Sequence, residues 1–310
     1  MLKIKEKYDV IIIGSGPSGC ASAVRCAQLG LNTLCIDNFP KKQGKKLRPG
    51  TFNNAGCLET IALLESAKLY GTLVNGINSH GIYVEKLTLN LPQMMQRKDN
   101  ILTQINQNTA IKFADYGIDF INAKAKLIDS KIVEIDSLTS LSNKKISADN
   151  IILATESIPI SIPCAHIDNE YIIDSTAALN LNEIPNRLAI LGAGVIGLEL
   201  GGIWNKLGAE TILLDAQESF LSVADFQISR EAYKVFTEQG LELRLGTRVI
   251  TAKVVNKKVH VEYQDSDGNH AIRVDKLIVA SGKKPNSENL SAPDANLLLD
   301  ENNYVHVNEN

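Results

Sequence analysis

The 310-residue sequence lacks the features that mark membrane-spanning, nucleic-acid-binding or disulfide-rich proteins. No apolar run approaches the roughly 20 residues that a transmembrane helix needs. The formal net charge is only −3, so nothing argues for a nucleic-acid partner. The five cysteines are scattered and odd in number, which is not the pattern of a disulfide framework. Because the short polar N-terminus leads directly into an apolar strand pattern, we also expect no leader segment and a cytoplasmic protein.

An internal repeat is the most informative feature that is present. Residues 8–13 form a continuous apolar run with β-branched side chains, which is typical of a strand buried on both faces of a parallel sheet. A glycine-rich turn, a helix and a second strand that ends at an acid follow. The same order returns at a constant offset of 178 residues, which relates Gly14, Gly16, Gly19, Gly30 and Asp37 to Gly192, Gly194, Gly197, Gly208 and Asp215. Two such units predict two Rossmann-like dinucleotide-binding domains.

Each repeated position has a physical role in a unit of this kind. The first glycine allows the tight turn, the second lets the backbone approach a pyrophosphate, and the third lets the helix pack on the sheet. The helix N-terminus offers N–H groups and a positive dipole end to phosphates. Asp37 and Asp215 can accept hydrogen bonds from ribose hydroxyls, and Asp215 without a nearby arginine favours NAD over NADP. The alternative, that the glycines only make turns and the acids only end strands, is much weaker for two units than for one.

The order of these features resembles the pyridine nucleotide–disulfide oxidoreductases, in particular the dihydrolipoyl (dihydrolipoamide) dehydrogenases. Residues 14–37 resemble the family's FAD motif, and residues 192–201 resemble its NAD motif, with Glu199 placed near the nicotinamide and the flavin. Residues 151–155 and 280–286 resemble the segments that lead into and out of the family's NAD domain. The resemblance therefore implies FAD at the first unit and NAD at the second.

The resemblance also implies a domain arrangement. We expect an α/β fold with two Rossmann-like domains, each with a parallel sheet, and with the NAD domain inserted in the FAD domain. The FAD-binding domain is expected over residues 1–150, with residues 276–310 returning to it, and the NAD-binding domain over residues 151–275. Within the latter part of the chain, strands are expected near residues 241–249, 252–262 and 272–280.

The stretch that carries the family's redox chemistry departs from the family pattern here. The family has a C-x4-C pair, and in this sequence Phe52 stands at the first cysteine while Cys57 matches the second. Because disulfide exchange passes through a mixed disulfide between two sulfurs, Phe52 predicts the loss of dithiol oxidation. Ile61 replaces the lysine that pairs with the acid at Glu199. Glu156 replaces a glycine, which puts a charge and a side chain where the family makes a close turn.

Cys57 and Glu199 are the candidate catalytic residues that remain. Two interpretations of Cys57 stay open: a thiolate against the flavin, or a leftover core thiol at a helix start, which the absent partner cysteine favours. Cys164 and His166 lie two residues apart, but no second ligand pair accompanies them, so no metal site is predicted.

The family pattern continues beyond residue 310, with a further flavin-contacting motif and a dimerisation domain. We therefore expect a C-terminally truncated member that does not form the family's homodimer and whose retention of FAD is in question. The first functional hypothesis is a flavoprotein that passes electrons from NADH through FAD to an unknown acceptor, as a diaphorase does. The second is a non-catalytic dinucleotide-binding protein. A soluble transhydrogenase-like enzyme ranks third, since those relatives keep the first cysteine and lose the second.

Overall fold

The protein folds as an alternation of strands and helices. The computed structural model describes residues 4–38, 56–136, 144–292 and 295–309. Phe52 lies outside the described residues. The elements within them are, in chain order, β1 (Lys7–Ile13), α1 (Pro17–Gln28), β2 (Thr33–Asp37), α2 (Cys57–Val74), a short 3-10 turn (Asn78–His80), α3 (Leu91–Asp115), β3 (Asp119–Asn122), β4 (Lys124–Asp129), β5 (Ile132–Asp136), β6 (Lys144–Leu153), β7 (Ser157–Pro159), β8 (Ile172–Asp174), α4 (Ser175–Ala178), β9 (Arg187–Leu191), α5 (Val195–Lys206), β10 (Glu210–Leu214), α6 (Phe226–Glu238), β11 (Glu242–Arg244), β12 (Arg248–Val255), β13 (Lys258–Asp265), β14 (Gly268–Val274), β15 (Lys276–Val279) and β16 (Lys283–Pro285).

The first compact unit contains the first repeat. It comprises the described residues of Met1–Ala55, Leu102–Ile158 and Lys284–Asn310. Its sheet has the order β3-β2-β1-β6-β5-β4. Strands β3, β2, β1 and β6 run parallel, β5 is antiparallel to β6, and β4 is antiparallel to β5. Ile11 and Ile13 pack on one side of β1, and Val10 and Ile12 pack on the other. Both faces are therefore buried, which explains why the strand is a continuous apolar run.

The second compact unit contains the second repeat. It comprises Gly56–Ile101 and Pro159–Lys283. Its main sheet is parallel throughout, with the order β11-β10-β9-β15-β8, and β12, β13 and β14 form a separate antiparallel sheet. The side chains of Leu198, Ile203 and Trp204 on α5 are buried in the core above the parallel sheet. The parallel sheets confirm the α/β fold class expected from the sequence.

The bounds of the two units differ from those expected. Strand β6 belongs to the first sheet and continues to Leu153, past the expected boundary at residue 150. Strand β15 lies in the second sheet, although the chain was expected to return to the first domain at residue 276. Residues 56–101 pack with the second unit, because Leu63 of α2 shares a hydrophobic core with Trp204 of α5. The apolar face of a helix does not say which sheet it covers, so the sequence alone could not assign α2.

No helix in the described part of the chain combines the length and the apolar character needed to cross a membrane.

Candidate functional site

The first glycine turn, residues 14–19, joins β1 to α1. Gly14 has a φ of +104°, and a Cβ atom there would overlap the carbonyl oxygen of Ala154. A Cβ atom at Gly19 would overlap the carbonyl oxygen of Gly14. Pro17 is the first residue of α1, where its missing N–H has no cost. The fold itself thus requires glycine at both ends of this turn, for the backbone conformation and for close helix–strand packing.

The second glycine turn, residues 192–197, repeats this geometry between β9 and α5. Gly192 has a φ of +109°, and a Cβ atom there would overlap the carbonyl oxygen of Ala280. A Cβ atom at Gly197 would overlap the carbonyl oxygen of Gly192. Both sequence-predicted turns therefore lie where a parallel strand meets a helix start, which is the position that dinucleotide binding requires.

Gly194, in the middle of the second turn, is not required by the fold. Its φ is −74°, which any residue adopts, and a Cβ atom there would meet nothing within 4 Å. It is the N-cap of α5, and no side chain caps the helix. Open space over a glycine at an uncapped helix start fits the close approach of a pyrophosphate. The residues of the second turn therefore fit the phosphates of a dinucleotide.

The acids at the strand ends bind the glycine turns of their own units. Asp37 Oδ2 accepts hydrogen bonds from the backbone N of Ser15 at 2.6 Å and from its Oγ at 2.7 Å. Asp215 Oδ2 accepts a hydrogen bond from the backbone N of Ala193 at 2.6 Å. The sequence pattern predicted ribose binding for these acids and did not reveal this role in holding the turn. The equal spacing of 22 residues between donor and acid in both units was a signal that could have shown it.

A third strand of each sheet extends the repeat. Ala154 follows β6, and its N–H donates to Ile13 O at 2.7 Å, whereas Ala280 follows β15 and donates to Leu191 O at 2.8 Å. Ala154 faces the first glycine of its turn in the same way as Ala280 does in the second unit. Two residues later, the chain has a glutamate at position 156 and a glycine at position 282. Positions 156 and 282 are therefore structural equivalents.

The two equivalent positions differ in how well their residues suit the backbone. Both have positive φ values, +61° for Glu156 and +127° for Gly282. Glycine adopts such conformations freely, whereas a residue with a Cβ atom is strained there. The carbonyl of Glu156 accepts a hydrogen bond from the N–H of Asn286 at 3.1 Å, and Asn286 Nδ2 donates to Thr155 O at 3.1 Å. These bonds hold the segment in place despite the unfavourable residue.

The side chain of Glu156 lies over the first glycine turn. A Cβ atom at Gly16 would overlap its Oε1 atom, whereas the corresponding space over Gly194 is open. Burial raises the pKa of the Cys20 thiol in α1 to about 12, and the negative charges of Asp37 and Glu156 contribute to this rise. The middle of the first turn is thus covered by a carboxylate, which a pyrophosphate would have to displace.

An acidic cleft of about 570 Å³ opens beside the first glycine turn, within the first unit. Lys124 and Lys126 of β4 are the basic residues in its lining. One of its acids, Glu288, is paired with Lys284 at 2.6 Å. Negative charge prevails in this cleft, because its acidic lining residues are Asp37, Glu134, Asp136, Glu156 and Glu288.

The two candidate catalytic residues both belong to the second unit. Glu199 lies half-buried on α5, and burial raises the pKa of its carboxyl group. Cys57 is the first residue of α2 and is exposed, so the interpretation that it is a core thiol is wrong, although it does stand at a helix start. Ile61, one turn further along α2, exposes 57% of its surface.

Comparison with known proteins identifies the family. A model of the family described as pyridine nucleotide-disulphide oxidoreductase matches residues 8–310. The protein belongs to this family, which confirms the resemblance found in the sequence.

Several relatives are similar over nearly the whole chain. The chain is 32% identical to a dihydrolipoyl dehydrogenase of Cupriavidus necator over 309 residues, which cover 99% of this chain and 65% of the relative. It is 35% identical to dihydrolipoyl dehydrogenase 3 of Pseudomonas aeruginosa over 298 residues, which cover 95% of this chain and 62% of the relative. The chain thus spans less than two thirds of the length of these relatives.

A solved structure shows the same fold. The Cu(II) complex of the HOCl-induced flavoprotein disulfide reductase RclA from Escherichia coli superposes with a TM-score of 0.80 at 25% sequence identity. The match covers 98% of this chain and 63% of that protein.

Proposed function

We propose that the protein is a flavoprotein of the dihydrolipoyl dehydrogenase type that binds NAD(H) at the second glycine turn and FAD at the first, and that has lost dithiol oxidation. The observation that carries the proposal is the open space over Gly194 at the uncapped start of α5. Nothing in the fold requires glycine there, so a ligand that approaches the backbone explains it best. A cytoplasmic location remains part of the proposal.

The selectivity of the second unit follows from Asp215 and its neighbours. An acid at the end of β10 repels the 2′-phosphate of NADP, and the residues after it, Ala216, Gln217 and Glu218, carry no cation to bind that phosphate. We therefore expect NAD to bind at least tenfold more tightly than NADP, which titration calorimetry on the full chain would measure.

Dithiol oxidation needs two cysteines in addition to the two cofactors. The nicotinamide and the flavin would supply only hydride transfer, which side chains cannot provide. Phe52 offers no sulfur for exchange with a dithiol, and Cys57 alone cannot form an internal disulfide. Glu199 keeps a raised pKa, because burial is not balanced by a cation among the described residues.

Gly194→Ala is the direct test of the NAD site. The φ of Gly194 suits alanine and the added methyl group meets no atom, so the fold should persist while the pyrophosphate is kept at a distance. We expect NAD binding to weaken at least tenfold with an unchanged free energy of unfolding. Gly202→Ala is the matched control on the same helix, since a Cβ atom there meets only Lys206 Nζ at 3.8 Å. Equal NAD affinity in both variants would refute the site.

Electron transfer requires a separate test. Rapid mixing of FAD-loaded protein with NADH should bleach the flavin absorbance, while dihydrolipoamide oxidation should stay undetectable, even in Phe52→Cys. An unbleached spectrum would reject the enzymatic part of the proposal, and dihydrolipoamide turnover by the unaltered chain would reject the loss of dithiol oxidation.

A second candidate is an NAD-binding protein without flavin turnover. Glu156 over the first glycine turn favours it, because a covered turn disfavours FAD. This candidate predicts colourless protein after purification, whereas yellow protein that is reduced by NADH would exclude it. A soluble transhydrogenase-like enzyme stays a third prediction, with no structural feature in its favour among the described residues.

A further inference from the structure

We propose that the carboxylate of Glu156 is a built-in competitor for the phosphate position of the first glycine turn, so that a dinucleotide binds there only after this side chain has moved away. The inference rests on the proposed function, which makes the first turn a nucleotide site. It concerns a residue of this chain that occupies the place a pyrophosphate would need.

The Glu156 carboxylate lies over the start of α1. Its Oε1 lies where a Cβ atom of Gly16 would be, against the N-cap residue of α1. A helix start stabilises negative charge through its N–H groups and its dipole, and a carboxylate supplies the same kind of oxygen as a phosphate. The group that covers the turn is therefore chemically matched to the position, which a hydrophobic side chain would not be.

Hydrogen bonds anchor the backbone around Glu156. The backbone at position 156 is held by Asn286, whose N–H donates to Glu156 O. Gly282, at the equivalent position of the second unit, also has a positive φ, so both units have an unusual backbone at this place. Because the backbone is held, displacement of the carboxylate requires rotation of the glutamate side chain, which needs no rearrangement of the sheet.

The acidic cleft beside the first glycine turn adds electrostatic repulsion. A pyrophosphate that enters beside Gly16 approaches Asp37, Glu134 and Asp136 as well as Glu156, while Lys124 and Lys126 supply positive charge. Repulsion between like charges within several ångströms lowers anion affinity. The competition thus has a steric part, which the bulk of the side chain causes, and an electrostatic part, which its charge causes.

Two substitutions at position 156 separate these parts. Glu156→Gly removes both the bulk and the charge, and Glu156→Gln removes only the charge. FAD binding to the full chain is measured by quenching of flavin fluorescence, with saturating NAD present so that the second turn is occupied. We expect FAD to bind at least tenfold more tightly to Glu156→Gly than to the unaltered chain, with Glu156→Gln in between.

The results of this experiment distinguish the inference from the proposed function. Equal FAD affinity, within twofold, in the unaltered chain and in Glu156→Gly would overturn the inference and leave the proposed function intact. Absence of FAD binding in both chains would overturn the inference together with the FAD part of the proposed function. Failure of NAD to bind would overturn the NAD part of the proposed function, and the comparison of FAD affinities would still decide the inference.

The reciprocal change provides a matched test in the second unit. Gly282→Glu should place a carboxylate over Gly194, and Gly282→Gln should place an uncharged side chain of the same length there. Both variants strain the backbone equally, so their thermal unfolding temperatures should match. A difference between their NAD affinities then reports the effect of the charge. We expect NAD to bind at least tenfold more weakly to Gly282→Glu than to the unaltered chain, and less weakly to Gly282→Gln. Unchanged NAD affinity in folded Gly282→Glu would overturn the inference.

Discussion

The first and second units contain the same turn between strand and helix, the same acid at the end of the neighbouring strand and the same alanine facing the first glycine. They differ two residues after the alanine that follows the third strand, where one unit has Glu156 and the other has Gly282. Because this backbone position has a positive φ in both units, glycine is the residue that the fold favours. The glutamate is thus a local departure from what the fold prefers, and such departures mark positions with a functional reason or a lost function.

The largest expected effect separates the glycines that the fold requires from Gly194, which we propose faces a ligand. Gly192→Ala combines a strained φ with overlap of the Ala280 carbonyl oxygen, so we expect it to lower the free energy of unfolding by about 3 kcal/mol or more. Gly194→Ala should change it by less than about 0.5 kcal/mol. Urea denaturation followed by circular dichroism measures both. Equal losses in the two variants would show that Gly194 serves the fold, which would break the distinction.

A smaller effect tests the anchoring of the turns. Ser15→Ala removes the hydroxyl that donates to Asp37 and leaves the alanine that the second unit has at Ala193. Ser15 is fully buried, and a hydrogen bond to a charged group contributes about 1.5 kcal/mol or more, so a loss of about 1.5 kcal/mol is expected. Ser130→Ala is the control, because the exposed hydroxyl of Ser130 donates to Asp129 at 2.9 Å and its loss should cost almost nothing. Indistinguishable unfolding curves for the two variants would contradict the anchoring role.

Substitutions at the equivalent positions 156 and 282 should change the free energy of unfolding modestly and in opposite directions. Glu156→Gly relieves a left-handed conformation that costs about 1 kcal/mol, but glycine also raises the conformational entropy of the unfolded chain. We therefore expect a net increase of about 0.5 kcal/mol in the free energy of unfolding. Gly282→Ala places a Cβ atom at a φ of +127°, farther from the tolerated left-handed region than the +61° of Glu156, and should lower the free energy of unfolding by about 1 kcal/mol or more. Differential scanning calorimetry compares the two, and a loss of stability in Glu156→Gly would contradict the account of position 156.

The smallest effect concerns Glu199 and its dependence on pH. Burial raises the pKa of Glu199 above the ordinary value of 4.5, so its protonated form is favoured in the folded state. The associated stability is present below that ordinary value and is lost as the pH rises through the folded pKa. Glu199→Gln should therefore be more stable than the unaltered chain at pH 7, with the difference disappearing in acid. Denaturant titrations at several pH values measure this, and a constant difference would contradict a raised pKa.

The strand–turn–helix units could be predicted because glycine spacing and apolar runs are local signals. Strand β1 begins one residue before the predicted start, and α1 and α5 each end one residue before the leucine expected to close them, Leu29 and Leu207. The predicted strand over residues 252–262 was wrong in its middle, since Asn256 and Lys257 adopt positive φ values and form the turn between β12 and β13. Asn-Lys lacks the glycine that usually announces such a turn.

The rest depended on contacts that sequence order does not reveal. Positions 156 and 282 are 126 residues apart, whereas the glycine turns repeat at an offset of 178 residues. The sequence repeat therefore does not pair position 156 with position 282. The place of the Glu156 side chain over Gly16 follows only from coordinates. The packing of α2 with α5 in one core likewise depends on long-range contacts between apolar faces that have no sequence signature of their partner.

The most direct test is the number of sites for ADP, the moiety that NAD and FAD share. Titration calorimetry on the unaltered full chain should give one tight site, at the second turn, and titration of Glu156→Gly should give two. Two equally tight sites in the unaltered chain would contradict a covered first turn, and a single tight site in both chains would show that Glu156 is not what weakens binding at the first turn.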